Sequence, residues 1–512
     1  MSRKNRRTKL RNRERRIKYR LRERIWEPQD EPMFTASNIH YDLSDRFRAL
    51  GSGGIGGIHL LSRRVGLIDA IDGKLHLLEM HRPYHESDHV LNIAYNLLCG
   101  GECLEHIERR RNDEVYLDAL GAQRIPDPTT EGDFCRRFEE TDVERLMDTI
   151  NEVRLGVWRQ QPDAFFDRAI IDGDGTMAPT TGQCKQGMDI SYNGQWGYHP
   201  LVVSLANTGE PLYLVNRSGN RPSHEGAAER YDQSIELCRR AGFREILLRG
   251  DTDFSQTAHL DAWDAETVRF AFGIAAMPNL ITRAEDLPKK LWNRLVRRAK
   301  YEVRTEPRER PANVKEQIVR QREYKNIRLV SEDVAEFDYR PVACRKTYRV
   351  VVVRKNLSME RGEQALIPDV RYFFYITNIR TESSSAIVFL ANDRCNQENL
   401  IAQLKTGVKA LSMPVDNMVS NWAYMVMGSL AWTLKAWVAL LLPETGRWAQ
   451  KYQSEKLAVL RMEFKTFVNS FIQVPCQIVR SGRRIVYRLL SWNVWQHVFL
   501  RAIDALRRPL KC

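Results

Sequence analysis

From Phe165 onward the chain alternates apolar, β-branched runs with turn residues in an order that restricts its fold. The runs FFDRAIIDGDGT, YHPLVVSLA and EPLYLVNRS have the composition of strands, and Asn207-Thr-Gly joins the second run to the third. A helical pattern over residues 225–241 ends at a glycine, and the apolar run REILLRG follows it. The sequence therefore predicts a three-stranded meander, then a helix and a fourth strand.

The segment after this fourth strand changes in composition. Residues 286–369 are rich in arginine and lysine and contain β-branched runs such as TYRVVVVRK, which predicts an inserted, mainly β subdomain. The run RYFFYITNI then returns to a core-type strand, and a helix follows it. Three strands, a helix and a fourth strand make the first half of a ribonuclease-H-like fold. We therefore expect an α/β protein with a ribonuclease-H-like core in two parts, 161–285 and 370–442.

Helical regions are expected on both sides of this core. Residues 1–24 form a block of positive charge that we expect to be a disordered arm, ordered only on a polyanion. Within residues 25–160, apolar spacings of three and four from about Ile55 to Arg159 fit a helix-turn-helix-like DNA-binding region or, equally, a plain helical bundle. Residues 443–512 alternate helical stretches with basic residues and are expected to be helical.

The charge balance points to a polyanionic partner. Lysine and arginine number 79 against 65 acids, a net charge of +14, although charge alone does not choose between DNA, RNA and an anionic membrane. The nine cysteines are scattered and do not form the dense spacing of a secreted disulfide framework, so a reducing cytoplasm is the expected compartment.

One apolar stretch, residues 421–443, is long enough to cross a bilayer. Lys435 lies inside it, and a charge near the middle of a single membrane span is costly. We therefore expect a helix buried between protein layers and no membrane partner.

Two acids stand where apolar strands end. Asp174 lies just past FDRAIID, and Asp251 just past REILLRG, so adjacent strands would deliver both carboxylates to one edge of a sheet. Transfer of DNA phosphodiesters uses two divalent metals held by a few carboxylates, and this arrangement suits them. Acids also commonly begin loops, so neither residue is decisive alone.

A third acid stands on the helix that follows the core-type strand. In NDRCNQENLIAQLKTG, Arg394, Glu398 and Lys405 are offset by four and seven residues and so share one helix face. The same spacing also fits an exposed, ion-paired face.

Taken together, these motifs resemble the DDE transposases of bacterial insertion sequences, in particular a cut-and-paste group with the pattern Tyr-x2-Arg-x3-Glu-x6-Lys. Arg394, Glu398 and Lys405 match this pattern in register, whereas Ala391 replaces the tyrosine. The motif LLRGDTDF is similar to the family's Arg-Ala-Asp-Ser-Gly-Phe, which puts Asp251 at the metal-ligand position.

Two further acids are reserve ligands. Asp253 replaces a glycine of the family motif, and Asp172 precedes a small residue just as Asp174 does. Because an acid followed by Gly-Thr is the closer match, Asp174 is the preferred first ligand and Asp172 a supporting or alternative one.

The resemblance implies a catalytic triad of Asp174, Asp251 and Glu398 that holds two Mg²⁺ ions, with Mn²⁺ as a possible substitute. Water would nick the element end, and the freed 3′-hydroxyl would attack target DNA. Arg394 and Lys405 would contact phosphates, and Trp292 could stack on an unpaired base. The implied partners are element-end DNA with its terminal inverted repeat, target DNA and a second copy of the chain, in the bacterial cytoplasm.

Two other functions remain open from the sequence. A ribonuclease-H-like nuclease without strand transfer would use the same acids but would not bind paired terminal repeats specifically. A sequence-specific DNA-binding protein with an inert centre would not need the intact set of acids.

Overall fold

A computed structural model describes residues 3–22, 33, 36, 38–41, 47–297, 313–361, 364–481 and 484–508. Its α-helices are α1 (Arg3–Arg20), α2 (Ile55–Arg64), α3 (Leu67–Lys74), α4 (Glu86–Leu98), α5 (Glu108–Arg111), α6 (Glu114–Leu120), α7 (Pro128–Arg136), α8 (Glu140–Trp158), α9 (Ala227–Ala241), α10 (Leu260–Ala265), α11 (Pro278–Glu285), α12 (Val314–Gln321), α13 (Ser384–Asn392), α14 (Cys395–Ala402), α15 (Met418–Leu440), α16 (Ala449–Arg461), α17 (Phe464–Phe467) and α18 (Gln496–Leu506).

The strands form one large mixed sheet and two small ones. They are β1 (Ala49–Leu50), β2 (Arg168–Gly175), β3 (Ala178–Pro179), β4 (Asp189–Ile190), β5 (Trp196–Tyr198), β6 (Leu201–Leu205), β7 (Glu210–Val215), β8 (Glu245–Gly250), β9 (Arg269–Ile274), β10 (Asn293–Arg294), β11 (Lys325–Tyr339), β12 (Tyr348–Arg361), β13 (Gln364–Thr377), β14 (Cys476–Ser481) and β15 (Arg484–Leu489). The large sheet has the order β10-β11-β12-β13-β9-β8-β2-β6-β7. The molecule is thus a mixed α/β protein, as predicted.

The predicted meander and the strand after it form one half of the large sheet. Strands β2, β6 and β7 pair antiparallel in sequence order. Helix α9 then crosses over, ends at Gly242 in the left-handed region (φ 98°), and leads into β8, which lies parallel to β2. Strand β9 continues the parallel arrangement beside β8. Because β2 and β8 are parallel neighbours, their carboxyl ends meet at one edge of the sheet.

The segment predicted as an inserted subdomain, 286–369, does not form a separate sheet. Strands β10 to β13 continue the large sheet antiparallel beyond β9. Strand β13 also runs without a break across the predicted boundary at residue 369. The physical reason is that the β-branched run Val350–Val353 is buried and pairs with β13 along its length, so the segment extends the existing core.

The β11–β13 ribbon is much longer than the strand it joins. Strand β13 last pairs with β9 at Phe374–Ile274, where β9 ends. From Phe374 it continues back to Gln364, beyond the carboxyl end of β9. The ribbon therefore projects past the same edge of the sheet at which β2 and β8 end.

Helix α15 runs through the centre of the fold and packs against α4, α8, α16 and β7. It is long and apolar enough to cross a membrane, yet its whole apolar window is buried inside the protein. The prediction of a core helix is confirmed. Lys435 within it donates to the backbone oxygen of Leu460 at 2.8 Å and lies 3.8 Å from the ring centroid of Trp432.

A buried polar network joins the helical layer to the sheet. Glu210 at the start of β7 is fully buried and accepts from Arg154 and Trp158 of α8 at 3.1 and 2.9 Å. It also accepts from Trp437 of α15 at 2.8 Å. One carboxylate thereby fixes two helices against the edge strand of the sheet, since it accepts the Nε–H of Arg154 and both indole N–H groups.

Both ends of the chain differ from expectation. Residues Arg3–Arg20 form a helix and not a disordered arm, because Arg6 pairs with Asp504 at 3.0 Å and Arg13 donates to the carbonyl of Leu489 at 2.9 Å. Arginine and lysine also favour helix when such contacts hold them in place. The carboxyl-terminal region is not wholly helical, since β-branched residues build the β14–β15 hairpin, which pairs with β1.

Candidate active site

The register of β2 and β8 places the two predicted aspartates side by side. Asp172 of β2 pairs with Arg249 of β8 in this parallel ladder. Asp174 lies two residues further along β2, and Asp251 is the first residue after β8, two positions past Arg249, so the chain delivers both to the carboxyl edge of the sheet. Both side chains are half-buried.

The glycines of IDGDGT and LLRGD permit a close approach by helix α9. A Cβ atom at Gly173 would lie 2.4 Å from the hydroxyl oxygen of Tyr231, and one at Gly250 would lie 3.0 Å from it. That hydroxyl donates to the backbone oxygen of Arg249 at 2.9 Å. Tyr231 therefore packs against both acid-bearing strands from the side of helix α9, and larger residues at positions 173 and 250 would displace it.

Asp172, the reserve ligand, is committed to a different partner. Its two oxygens each accept from the Arg249 guanidinium at 2.7 Å, and both side chains are almost fully buried. The same guanidinium donates to the backbone oxygen of Leu390 in α13 at 3.0 Å. This bidentate pair occupies the carboxylate that a metal would need, and it supports the neighbouring Asp174.

Asp251 is held by the turn that follows its strand. Its carboxylate accepts from the backbone N–H of Asp253 at 2.9 Å and caps a single 3₁₀ turn, Thr252–Phe254. A Cβ atom at Gly273 in neighbouring β9 would lie 2.8 Å from the nitrogen of Thr252. The turn is thus packed tightly against β9, while the Asp253 side chain points to solvent.

Helix α14 brings the third acid to the same edge. Gln397 is buried, donates to the backbone oxygen of Val202 in β6 at 2.8 Å and accepts from the Ser204 hydroxyl. This contact fixes the helix against the sheet, so the adjacent Glu398 projects from the open side, with 62% of its side chain exposed.

Arg394 lies between two of the acids. One terminal nitrogen is 3.6 Å from Oδ2 of Asp174, and the other is 3.9 Å from Oε1 of Glu398. The nitrogen near Asp174 is buried and makes no hydrogen bond to any residue that the structure describes. A planar guanidinium with a free donor beside a carboxylate site is suited to an additional anionic oxygen.

The electrostatics of Asp174 show that the acids are close. Burial, the Asp251 carboxylate and, more weakly, Glu398 together raise the pKa of Asp174 to about 7, against the opposing effect of Arg394. Burial lowers the pKa of Lys405, which lies in the π-helix Gln403–Gly407 and feels the charge of Asp174. The structure thus brings together Asp174, Asp251, Glu398, Arg394 and Lys405.

Trp292 has a partner of its own. It follows the 3₁₀ turn Lys289–Leu291, and the Arg354 guanidinium lies 4.3 Å from its ring centroid. Its ring also contacts Tyr372 at 6.4 Å between centroids. Trp292 lies on the side of the ribbon near β10. None of its ring or cation contacts among the described residues involves the acids.

Across the described ranges, no group of three or more His, Cys, Asp or Glu side chains is arranged to hold a metal ion. Glu398 turns toward Arg394, so the three acids do not converge as a finished ligand set. Asp174 and Asp251 are nevertheless a donor pair: burial first, and then repulsion by Asp251, raise the pKa of Asp174, and a divalent cation would relieve that repulsion. The donor chemistry therefore fits a metal at the Asp174–Asp251 edge.

Three supporting residues were not identified from the sequence: Arg249, Gln397 and His199. Arg249 precedes Gly250, the glycine before Asp251, and Gln397 precedes Glu398. Nothing in a strand or helix pattern distinguishes such a buried anchor from an exposed neighbour. His199 precedes β6 and packs on the backbone of Gly175. Its contact with Gly175 depends on long-range chain packing that a local pattern does not reveal.

Comparison with known proteins gives an extensive match to a family model. The family model described as "Transposase DDE domain group 1" matches residues 49–511. No curated protein matches the sequence. Among solved structures the chain is similar to a piggyBac transposase synaptic complex with hairpin DNA, at 9% identity and a TM-score of 0.35, over 82% of this chain and 79% of that chain. That likeness is too distant to support an argument, but the family model spans most of the sequence, and the chain belongs to the DDE transposase family.

Proposed function

We propose that this chain is the transposase of a bacterial insertion sequence of the cut-and-paste group, with Asp174, Asp251 and Glu398 as its catalytic acids. The observation that carries the proposal is the register of β2 and β8, which sets Asp174 beside Asp251 at one edge of the sheet. Helix α14 supports the assignment by adding Glu398 and Arg394 to the same edge. Members of the DDE family cleave nucleic acid and transfer strands.

DDE transposases generally use divalent metal ions, and Asp174 and Asp251 would hold the first of them here. Glu398 would join the ligand set by a rotation of its exposed side chain away from Arg394. We propose two Mg²⁺ ions, with Mn²⁺ able to substitute. Such ions, when bound, activate the attacking oxygen and stabilise the leaving oxygen of a phosphodiester.

The chain's own cations would orient the DNA. Arg394 offers a buried donor beside Asp174, and Lys405 presents an ammonium group that is already partly desolvated. Desolvated donors interact more strongly with phosphate oxygens than fully hydrated ones do. These two residues would therefore hold the scissile phosphate against the acids, while the Asp172–Arg249 pair keeps the strands in register.

The remaining regions are assigned by the same proposal. The meander β2-β6-β7, helix α9 and parallel strand β8 have the order expected of a ribonuclease-H-like core. Helices α2 to α8 would contain the DNA-binding region, and the basic helix α1 would contact phosphates. The partners would be terminal inverted repeats, target DNA and a second copy of the chain, which pairs the two ends in the bacterial cytoplasm.

The test is cleavage and strand transfer on DNA that carries the element's two ends, with Mg²⁺ or Mn²⁺. We compare the wild type with Asp174→Asn, Asp251→Asn and Glu398→Gln, and use Asp286→Asn, an exposed acid after α11, as the matched control. Each active-site variant should bind the ends yet neither cut nor join them. Asp253→Asn and Asp172→Asn test the reserve ligands.

The outcomes separate the alternatives. If the wild type joins ends to target, the three substitutions abolish both steps and Asp286→Asn retains them, the proposal holds. Nicking without joining would instead identify a nuclease, and unimpaired cutting by the three variants would show that the acids are assigned wrongly.

A further inference from the structure

His199 lies against the backbone that carries the first catalytic acid. It immediately precedes Pro200, whose carbonyl accepts from the backbone N–H of Thr176 at 2.9 Å. A Cβ atom at Gly175 would lie 2.9 Å from Cε1 of the imidazole. The ring therefore touches the residue directly after Asp174, and a side chain at position 175 would displace it.

Arg217 fixes the orientation of this imidazole. Its Nε donates to the backbone oxygen of His199 at 2.9 Å, and one terminal nitrogen donates to the carbonyls of Pro222 and Glu225 at 3.2 and 2.6 Å. The other terminal nitrogen donates to the carbonyl of Ser223 at 3.1 Å and lies 3.3 Å from Nδ1 of His199. Together these partners use every N–H group of the guanidinium.

The contact at Nδ1 determines where the ring proton lies. A guanidinium only donates, so Nδ1 of His199 must accept, and the one proton of the neutral imidazole must be on Nε2. Burial, followed by Arg217 and Lys405, lowers the pKa of His199 to about 4, which agrees with a neutral ring. Nε2 makes no hydrogen bond to the described part of the chain.

This tautomer excludes His199 as a metal ligand in the arrangement seen here. A histidine that binds metal through Nε2 has its proton on Nδ1 and donates it to an acceptor. Here Nδ1 faces a donor, so Nε2 has a hydrogen to offer and no lone pair. Lys405, whose charge acts on the ring after that of Arg217 and against that of Asp253, is likewise a pure donor. The complementary ligand is an unprotonated, anionic oxygen.

We propose that His199 is a DNA-binding residue of the active site, donating from Nε2 to a non-bridging oxygen of the phosphodiester beside Asp174. Arg217 is a positioning residue, which acts through the imidazole. The inference rests on the proposed function, since it names a further contact to the DNA bound at the same acids.

The experiment compares two substitutions at this position. His199→Gln keeps an N–H near the place of Nε2, whereas His199→Phe keeps a planar ring without any donor. His497→Phe is the matched control. His497 is exposed, its Nε2 lies 2.9 Å from Oε1 of Glu455, and both residues are far from His199 in the sequence. Thermal melting of each variant establishes that it is folded.

We measure single-turnover cleavage of element-end DNA and the affinity for that DNA. His199→Phe should slow cleavage about tenfold to a hundredfold, as expected for loss of a hydrogen bond to a charged group, and His199→Gln should recover most of the rate. If Gln is as slow as Phe in a folded protein, or if Phe is as fast as wild type, the proposal is overturned.

A second measurement does not depend on cleavage. A methylphosphonate at the scissile position removes the anionic acceptor, so it should weaken binding by wild type more than binding by His199→Phe. Equal losses in both proteins would show that no such hydrogen bond exists. If the wild type binds ends without cutting them, the proposed function fails, while this binding comparison still decides the role of His199.

Discussion

The Asp172–Arg249 pair is the residue-scale feature on which the geometry of the site depends. Each of these residues lies two positions before a proposed ligand, on neighbouring parallel strands. Both are withdrawn from water, and the guanidinium also reaches the backbone of α13. A buried pair of this kind costs desolvation energy, but the loss of one partner leaves an uncompensated charge.

Arg249→Met should therefore lower the free energy of unfolding by about 3–5 kcal/mol, because Asp172 is left buried and unpaired. The double substitution Asp172→Leu with Arg249→Met should recover most of this loss, since it removes both charges. Urea denaturation monitored by tryptophan fluorescence measures both values. A double variant as unstable as the single one would contradict this account.

Asp174 should make stability depend on pH. Its pKa rises from an ordinary value near 3.8 in the unfolded chain to about 7 in the folded protein, chiefly through burial. Between these values the unfolded state releases a proton that the folded state keeps, so its contribution to stability falls as pH rises from about 4 to 7 and is constant above.

Asp174→Asn should accordingly be more stable than wild type at pH 8 by about 2–4 kcal/mol, and equal to it near pH 4. Chemical denaturation at the two pH values, without divalent metal, measures the difference. The control Asp286→Asn should show no such gain, and a gain for Asp174→Asn that is the same at both pH values would refute the mechanism.

At the scale of elements, the sequence predicted what local patterns encode. Three local features predict these elements: the spacing of apolar residues, the composition of each run and a terminal glycine. The elements are the meander, helix α9, strand β8 and the buried helix α15. The β-rich character of 286–369 was predicted, but its continuity with the large sheet could not be, because the pairing of β13 with β9 is non-local and no repeat in the sequence specifies it. Helix α1 was missed because its partner, Asp504, lies at the opposite end of the chain.

The candidate site shows the same contrast between local patterns, which the sequence reveals, and non-local contacts, which it does not. Asp174, Asp251 and Glu398 could be selected because each ends a strand or matches a motif, whereas the anchor Gln397 could not. Its role depends on Val202 and Ser204, which are nearly two hundred positions away in the sequence. Sequence patterns thus predicted the three candidate acids but not the side chains that orient them.

Gln397→Ala tests whether that anchor orients helix α14. The substitution should lower the free energy of unfolding by about 1–3 kcal/mol, because the buried Ser204 hydroxyl loses its partner. Cleavage should fall more than affinity for element ends, since Glu398 loses its fixed position. The neighbouring, exposed Asn399→Ala is the control, and parallel losses of affinity and rate in Gln397→Ala would argue against a positioning role.

For the whole molecule, the excess of 14 positive charges should appear as salt-dependent DNA binding. Exposed arginines of α1 supply part of that charge. Replacing Arg7, Arg11 and Arg15 by glutamine should reduce the slope of log affinity against log salt by up to about 3, because each phosphate that is no longer neutralised removes roughly 0.9 from it. Fluorescence anisotropy at several salt concentrations measures the slope, and an unchanged slope would exclude α1 from the DNA interface.

The β11–β13 ribbon extends far beyond the edge of the sheet that it joins. Strand β13 extends ten residues from Phe374 to Gln364 beyond its last pair with β9, which at roughly 3.3 Å per residue is about 33 Å. It belongs to the sheet that carries Asp174 and Asp251, so paired strands join its tip to the acids, with register shifts at Leu329/Ser331 and Leu357/Met359. A force applied at the tip would therefore reach the acids through the strands of one sheet.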